Sequence, residues 1–343
     1  MKSISAIIPS LNEAKLLSTC LKSIRTQNYD QAKIEILVAD GGSKDGTKAV
    51  CRKYKAHLLK DTSGSPEASK GLALKHAKNE LVLVLDCDNV LPQRNWLRDM
   101  VSAFNKEPDI VGCYTWRYTL RKTDNPLNRY FALFGANDPV AYFLGKADRQ
   151  SYLSDSWNLM GEIVDKGSYF VVSFTPKTMP TLGANGFLTK RKYLLKAKSD
   201  GDWFYHTCVN LDLISQGLNR YVVMKNDVVH ASGENLLKYL QKRKKYLEQI
   251  YLRDQPKRRY LVYDPQKDTL KIVAFSVYSL SIILPTLVAL WGFLKVKDIA
   301  WFFHPVICFA LFWIYTYATL KSKLGTIFEK LDLSFLPYQK RNL

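Results

Sequence analysis

The chain has 343 residues, a formal net charge of +19 and 47% hydrophobic residues. That length holds one large domain or two ordinary ones with a proper core, and so basic a balance implies an anionic partner: nucleic acid, anionic lipid or a phosphorylated substrate. Six cysteines, at 20, 51, 87, 113, 208 and 308, form no Cys-x-x-Cys pair, which excludes a zinc ribbon or dithiol redox motif and suits reduced core residues in the cytosol.

In chain order, Met1-Lys2-Ser3 leads straight into an apolar run without the h-region of a signal peptide. Ile4 to Ile8 reads as a buried strand stopped by Pro9-Ser10-Leu11-Asn12-Glu13, with Asn12 a capping residue and Glu13 suited to a helix's first turn. Leu17, Cys20, Leu21 and Ile24 follow at helical spacing. Ile34 to Ala39 is a second strand ending at Asp40, and Gly41 to Thr47 is a tight polar turn into another helix. A short strand at His57 to Leu59, a loop at Thr62 to Ser69 and a helix from about Glu67 to Lys78 come next. Leu81 to Leu85 is apolar on both faces, as in a strand covered on both sides, and runs into Asp86-Cys87-Asp88. Two hard oxygen ligands at a strand's carboxyl end suit Mg²⁺ or Mn²⁺ carrying a diphosphate, and Asp-Cys-Asp-Asn is equally good turn chemistry. After an amphipathic helix around Trp96 to Phe104, Ile110 to Thr115 is the next strand. Strands alternating with helices at this spacing predict βαβ units and an open, doubly wound, mainly parallel sheet. Asn12-Glu13, Asp40 and Asp86/Asp88 then converge at one crevice.

The middle is less regular. Pro126 to Trp157 reads either as a packed insertion or as an amphipathic lid or membrane-surface segment. Ser168 to Phe174 and Tyr221 to Met224 are strands, with His230 after the second. Leu182 to Phe187 is a Gly-rich turn before a basic helix, and Asp212 to Gly217 a helix end. Ile272 to Leu294 and Ile299 to Leu320 are uncharged runs of 23 and 22 residues, each long enough to span a bilayer, joined by Lys295-Val296-Lys297-Asp298 with Trp291 and Trp301 flanking the turn. The overall mean hydropathy of −0.17 hides them by averaging. Between 238 and 271 lie eleven lysines and arginines. Next to apolar spans they favour anionic lipid over nucleic acid and place the preceding domain in the cytoplasm.

Pro9-Ser10-Leu11-Asn12-Glu13, Asp40 to Thr47 and Asp86-Cys87-Asp88, in this order and each at a strand end, resemble the Pro-x-x-Asn-Glu, Asp-x-x-Ser-x-Asp-Gly-Thr and Asp-x-Asp motifs of family 2 glycosyltransferases, inverting enzymes of GT-A fold. The resemblance covers about residues 3 to 235 and is strong over 3 to 115. Asn89-Val90-Leu91-Pro92 with Trp96-Leu97 is similar to membrane-bound members that build cell-surface glycans. The fold class implied is α/β: GT-A, an open doubly wound mainly parallel sheet, followed by a C-terminal two-helix transmembrane hairpin.

The resemblance implies roles for individual residues. Pro9, Asn12, Glu13 and Asp40 would line the base and ribose of a nucleotide sugar, Ser43 and Asp45 shape the turn, and Lys70 offset diphosphate charge. Asp88 would bind the divalent ion, with Asp86 beside ribose or metal and His230 a third ligand. Val209-Asn210 stands where the family's Glu-Asp pair supplies the base. Asp212 is therefore the first candidate base, with Asp202 and His206 behind it, unless the acceptor is a polyprenyl phosphate, which needs none.

The expected layout is a catalytic domain at 1–235 (nucleotide-binding half 1–115, acceptor half 116–235), a basic juxtamembrane segment at 236–271, two transmembrane helices at 272–320 and a cytoplasmic tail at 321–343. The expected function is a metal-dependent, cytoplasm-facing inverting transfer from a nucleotide sugar to a lipid-linked or envelope-glycan acceptor at a membrane with anionic lipids, without nucleic acid. The alternatives are a non-catalytic membrane scaffold and a nucleotidyltransferase. The latter usually has a Gly-rich basic loop where this chain has Pro9 to Glu13.

Overall fold

A computed structural model describes residues 1–197, 203–231, 233, 235–248, 258–264 and 266–335. Its first part alternates strand and helix: β1 (Ile4–Ser10), α1 (Ala14–Arg25), β2 (Ile34–Asp40), α2 (Thr47–Lys53), β3 (His57–Lys60), α3 (Pro66–His76) and β4 (Leu81–Val84). β1 pairs in parallel with both β2 and β4, with Ile7 opposite Leu37 on one side and Val84 on the other, and β3 adds to the outer edge of β2. Successive side chains of a strand point to opposite faces. Ile4, Ala6 and Ile8 accordingly enter the core under α1 and α4 (Trp96–Lys106), while Ile7, Val82 and Val84 enter a second core with Ala73 and Leu74 of α3. The apolar runs are unbroken because both faces are covered.

The second part inserts antiparallel strands. β5 (Asn89–Val90) and β6 (Gly112–Tyr118) are followed by α5 (Pro126–Phe134), α6 (Pro139–Phe143), β7 (Glu162–Asp165), β8 (Tyr169–Ser173), β9 (Phe187–Lys190), α7 (Arg191–Leu194), α8 (His206–Ser215) and β10 (Arg220–His230). The sheet runs β3-β2-β1-β4-β9-β6-β10-β8-β7, with β5 on β10. β9 is antiparallel to both β4 and β6, so β1–β4, β6 and β10 all point one way. Phe187 to Lys190, where the Gly-rich turn was expected to end and a basic helix to follow, is thus a strand filling the gap between the two parallel groups. Gly112 makes that closeness possible, since a Cβ there would lie 2.5 Å from the Phe187 ring.

The C-terminal part is α9 (Leu236–Tyr246), α10 (Thr269–Ser281), α11 (Ile283–Lys295) and α12 (Phe303–Phe335). The 23-residue run expected to be one straight span is two helices bent by 80° at Ile282, whose φ is +57°. Pro285 has no N–H for the Ser281 carbonyl, which ends α10. The Ser281 hydroxyl takes the Leu284 N–H at 3.2 Å and opens α11. Ile299–Lys321 is long and apolar enough to cross a membrane. α5 is neither lid nor free surface helix. Leu127, Tyr130, Phe131 and Phe134 are buried in one cluster with Ala289, Trp301 and Ile307 of the C-terminal helices.

Candidate functional site

The loops leaving β1 and β2 are stitched together by side chains. The Ser43 hydroxyl takes the Asn12 N–H at 2.8 Å and donates to Asp40, and Asn12 Oδ1 takes the Lys44 N–H at 2.8 Å. Asn12 does this at φ +55°, a left-handed conformation that asparagine tolerates. Asp45 accepts from the Thr47 hydroxyl at 2.6 Å and the Ala14 N–H at 2.9 Å. Those bonds, the Thr47 hydroxyl's first, hold its carboxyl below the usual range. Glu13 accepts the Leu17 N–H on its carbonyl at the start of α1. These bonds fix the two loops, of which Pro9, Ser10, Leu11 and Gly41 face a cleft of about 430 Å³; Asn12, Glu13, Asp40, Ser43 and Asp45 are not among its lining residues.

At the bottom of the cleft the chain leaves β4 through Asp86, Cys87 and Asp88. Lys70, on α3 and nearly buried, meets Asp86 Oδ1 at 2.7 Å. Burial opposes charge on both partners, but mutual attraction outweighs it: the Asp86 carboxyl is held below its ordinary value and the Lys70 ammonium above. Asp88 lacks so close a cation, and burial pushes its carboxyl up against the lesser pull of His230. Asn89, fully buried, takes the Asp86 N–H on Oδ1 at 3.0 Å and donates from Nδ2 to Asp88 Oδ1 at 3.1 Å. It thereby fixes both acids of the turn.

β10 brings the remaining partner. Its register shifts between Met224 and Asp227, after which Val229 and His230 pair with Val90 and Asn89 of β5. His230 Nε2 then lies 3.6 Å from Asp88 Oδ2, with the Tyr118 ring 5.2 Å from its own. Among the described residues no three His, Cys, Asp or Glu side chains form a complete ligand group. Asp88 and His230 form a pair, and Asp86 is already bound to Lys70. One carboxylate and one imidazole fit a divalent ion whose other positions are filled by phosphate oxygens and water, the imidazole being a better ligand for Mn²⁺ than for the oxygen-preferring Mg²⁺.

The candidate bases separate. His206 opens α8 and lines the cleft. Burial, and then the nearby Lys70 charge, push its imidazole down to about 3, so it is neutral at physiological pH. Asp212, further along α8, is not among the cleft residues. Arg259 grips it with both Nε at 2.9 Å and Nη2 at 2.8 Å. The Asp212 carboxylate, expected as a base, here holds the segment that carries Arg258 and Val262 against the cleft. Asp202 lies outside the described residues.

Sequence reasoning missed the rest of the wall. Buried Arg149 donates to Asp148 at 2.6 Å, the Asn185 carbonyl at 2.8 Å and the Thr115 hydroxyl at 3.1 Å. Burial raises the Asp148 carboxyl, and Arg149 only partly offsets it. Tyr239, Lys242, Arg243 and Tyr246 of α9 and Arg258 complete the lining. No spacing signalled the Asp148-Arg149 pair. The lysine-rich face of α9 was a signal, read only as a lipid-facing one. Ser10 Oγ and Thr207 Oγ1 are buried at the cleft without a hydrogen-bond partner among the described residues, which marks them as groups a ligand would satisfy.

Residues 5–162 match the model of glycosyl transferase family 2. Among curated proteins, glycosyltransferase AglE of Haloferax volcanii is 32% identical over 116 residues, 32% of this chain and 38% of that protein. The poly(ribitol-phosphate) beta-N-acetylglucosaminyltransferase TarS of Staphylococcus aureus is 32% identical over 113 residues, 31% of this chain and 19% of that protein. The matched stretch thus spans well under half of either relative. Among solved structures, the mannosyltransferase PcManGT of Pyrobaculum calidifontis, in complex with GDP-Man and Mn²⁺, has a TM-score of 0.51 at 18% identity, covering 94% of this chain and 87% of that one. That likeness is one of fold.

Proposed function

We propose that this chain, whose residues 5–162 match the glycosyl transferase family 2 model, moves a sugar, with inversion, from a nucleotide-sugar donor to a lipid-linked or envelope-glycan acceptor. The observation that carries this is the corner where the Lys70–Asp86 pair and the facing Asp88 and His230 meet at the base of a cleft rimmed by the β1 and β2 loops. The nucleotide would lie along Pro9 to Glu13 and Asp40, with Ser10 and Thr207 as polar contacts. Lys70 would face the diphosphate. Asp88 and His230 would hold Mg²⁺ or Mn²⁺, which when bound supplies Lewis-acid stabilisation of the departing diphosphate.

In the transfer, the acceptor oxygen bonds to the anomeric carbon from the face opposite the nucleotide. The carbon–oxygen bond to the diphosphate breaks, and its electron pair leaves with the nucleoside diphosphate. For a hydroxyl acceptor the proton goes to the His206 imidazole, which is neutral and within the cleft. Burial, and after it the Lys70 charge, depresses this imidazole; donor phosphates would offset the second of these causes and leave the first.

A second reading has an observation of its own. Lys242, Arg243 and Arg258 line the cleft, and that cation-rich wall suits a polyprenyl phosphate acceptor, whose oxygen is already an anion. Calorimetry with UDP- and GDP-sugars in Mn²⁺ tests the shared part: saturable binding lost in Asp88→Asn is expected, and absence of binding to every donor would refute it. His206→Ala divides the readings, since a phosphate acceptor leaves turnover unchanged.

A further inference from the structure

The contacts of the C-terminal helices point to a membrane attachment unlike the two-span hairpin, and independent of which sugar or acceptor the cleft takes. The turn between α11 and α12 lies against the catalytic domain. Asp298 meets Arg129 of α5 at 3.0 Å with both side chains mostly buried, and Tyr130 of α5 bonds His304 at 2.8 Å. In a hairpin of two spans, this turn sits across the bilayer, some 30 Å away.

The other end of the long apolar helix returns to the same polar body. Tyr315 donates to Asp138 at 2.6 Å and accepts from Arg243 at 2.8 Å. Lys244 lies 4.9 Å from the centre of the Tyr317 ring, and Lys321 lies 3.7 Å from Glu248. The helical stretch from His304 to Leu320 is about 25 Å long, and both its ends touch polar groups of one domain, Tyr130 at the first and Asp138 and Arg243 near the second. A helix held in this way runs along the domain surface.

The outward faces are apolar in register. Val273 and Val277 are exposed on α10, Leu287, Trp291 and Leu294 on α11, and Phe309 and Trp313 on α12, while Phe275, Ala289, Ile307 and Leu311 point inward. Exposed apolar surface on this scale marks an interaction site. Its rim states the partner's charge: Lys244 and Lys245 of α9, Lys271, Lys295 and Lys297 are exposed around it. From 269 to 321 the one acid is Asp298, already paired with Arg129.

We propose that α10, α11 and α12 lie flat in a single leaflet of an anionic bilayer, so that the chain is held in the membrane surface without crossing it. The 80° bend at Ile282 keeps both halves of the first apolar run at the same depth. Lysine ammoniums reach the phosphate headgroups while Trp291 and Trp313 sit at interfacial depth. The cleft wall formed by Lys242 and Tyr246 then stands at headgroup level.

The test is labelling of an introduced, exposed cysteine in the full chain, in sealed membrane vesicles of known orientation, with a membrane-impermeant maleimide. Cys87→Ser removes the one half-exposed thiol, the other five being buried. Lys297→Cys and Lys321→Cys are each expected to react from the side of the catalytic domain and not from the other. Reaction of Lys297→Cys from the far side restores the two-span hairpin, and reaction of Lys321→Cys alone from that side makes α12 a span; either overturns the proposal. Flotation with vesicles checks the charge. Recovery with phosphatidylglycerol-containing vesicles is expected to exceed that with phosphatidylcholine alone by about tenfold, and Trp291→Glu with Trp313→Glu to lower it by a similar factor. Equal recovery in either comparison overturns the leaflet as partner.

Discussion

Removing the Asp138 carboxylate perturbs the joint between the catalytic domain and its C-terminal helices. Asp138 caps α6 by taking the Val140 N–H at 2.9 Å, pairs with Arg243 of α9 and accepts from Tyr315 of α12 at 2.6 Å. Its side chain is 9% exposed and that of Arg243 11%. Breaking one side of a buried pair costs roughly 3–5 kcal/mol, a lost cap about 1 kcal/mol and a hydrogen bond to a charged group about 1.5–3 kcal/mol. These overlap, so Asp138→Ala is expected to destabilise the full chain by about 4 kcal/mol. Asp138→Asn keeps the cap and the tyrosine bond and is expected to cost about half as much. Urea unfolding in detergent micelles, followed by tryptophan fluorescence, gives the values. Arg243→Met completes a double-mutant cycle, in which the pair is expected to be less harmful than the sum by about 1.5–3 kcal/mol. A cost below about 1 kcal/mol for Asp138→Ala, or strict additivity in the cycle, would refute the reasoning.

Further expectations concern the cleft. Asp88→Asn is expected to lower transfer roughly a thousandfold with an unchanged circular dichroism spectrum, and chelator is expected to do the same to the parent chain; full activity in either sinks the metal role. Asp212→Asn is expected to leave kcat within about threefold and to lower the melting temperature, whereas His206→Ala lowers kcat roughly a hundredfold or more for a hydroxyl acceptor. The His206 imidazole is depressed to about 3, below the ordinary 6.5 or so of an unfolded histidine. Between those values the unfolded chain binds more protons, so stability rises with pH there and is lost on acidification. His206→Gln should therefore shrink the stability difference between pH 7 and pH 4 by on the order of 1–3 kcal/mol, and an unchanged acid profile would contradict the buried placement. Gly183→Ala puts a Cβ 2.5 Å from Asn210 Nδ2 and 3.0 Å from His206 Cβ at φ +116°. It is expected to cost about 2 kcal/mol and to lower kcat more than it raises KM.

What the sequence revealed follows from locality. β1 to β4 and the acids at their ends were legible because each signal lies within a few residues: an unbroken apolar run, then turn chemistry. β9 was misread because a short strand wedged between two others gives the same run as a helix start. The bend at Ile282 was hidden because a hydropathy window sums composition and cannot see that Pro285 leaves Ser281 without its hydrogen bond. Asp212 was chosen by its place in a linear motif, but its partner Arg259 is 47 residues away and becomes visible only in three dimensions. Asp148 and Arg149 have no pattern at all, and only the fold shows that Asp148 lines the cleft with buried Arg149 behind it.

The short passage from β10 to α9 has a practical consequence. Residues 231–235 alone separate His230, facing Asp88, from the helix that supplies Tyr239, Lys242 and Tyr246 to the cleft. Position 235, which looks from the sequence like a natural place to cut for a soluble fragment, would sever the wall from the floor. Such a fragment would keep every acidic motif yet lose the basic side of the pocket that α9 supplies. Inactivity of that fragment would therefore say nothing against the motifs; an assay of the proposed transfer has to start from the chain with its C-terminal helices attached.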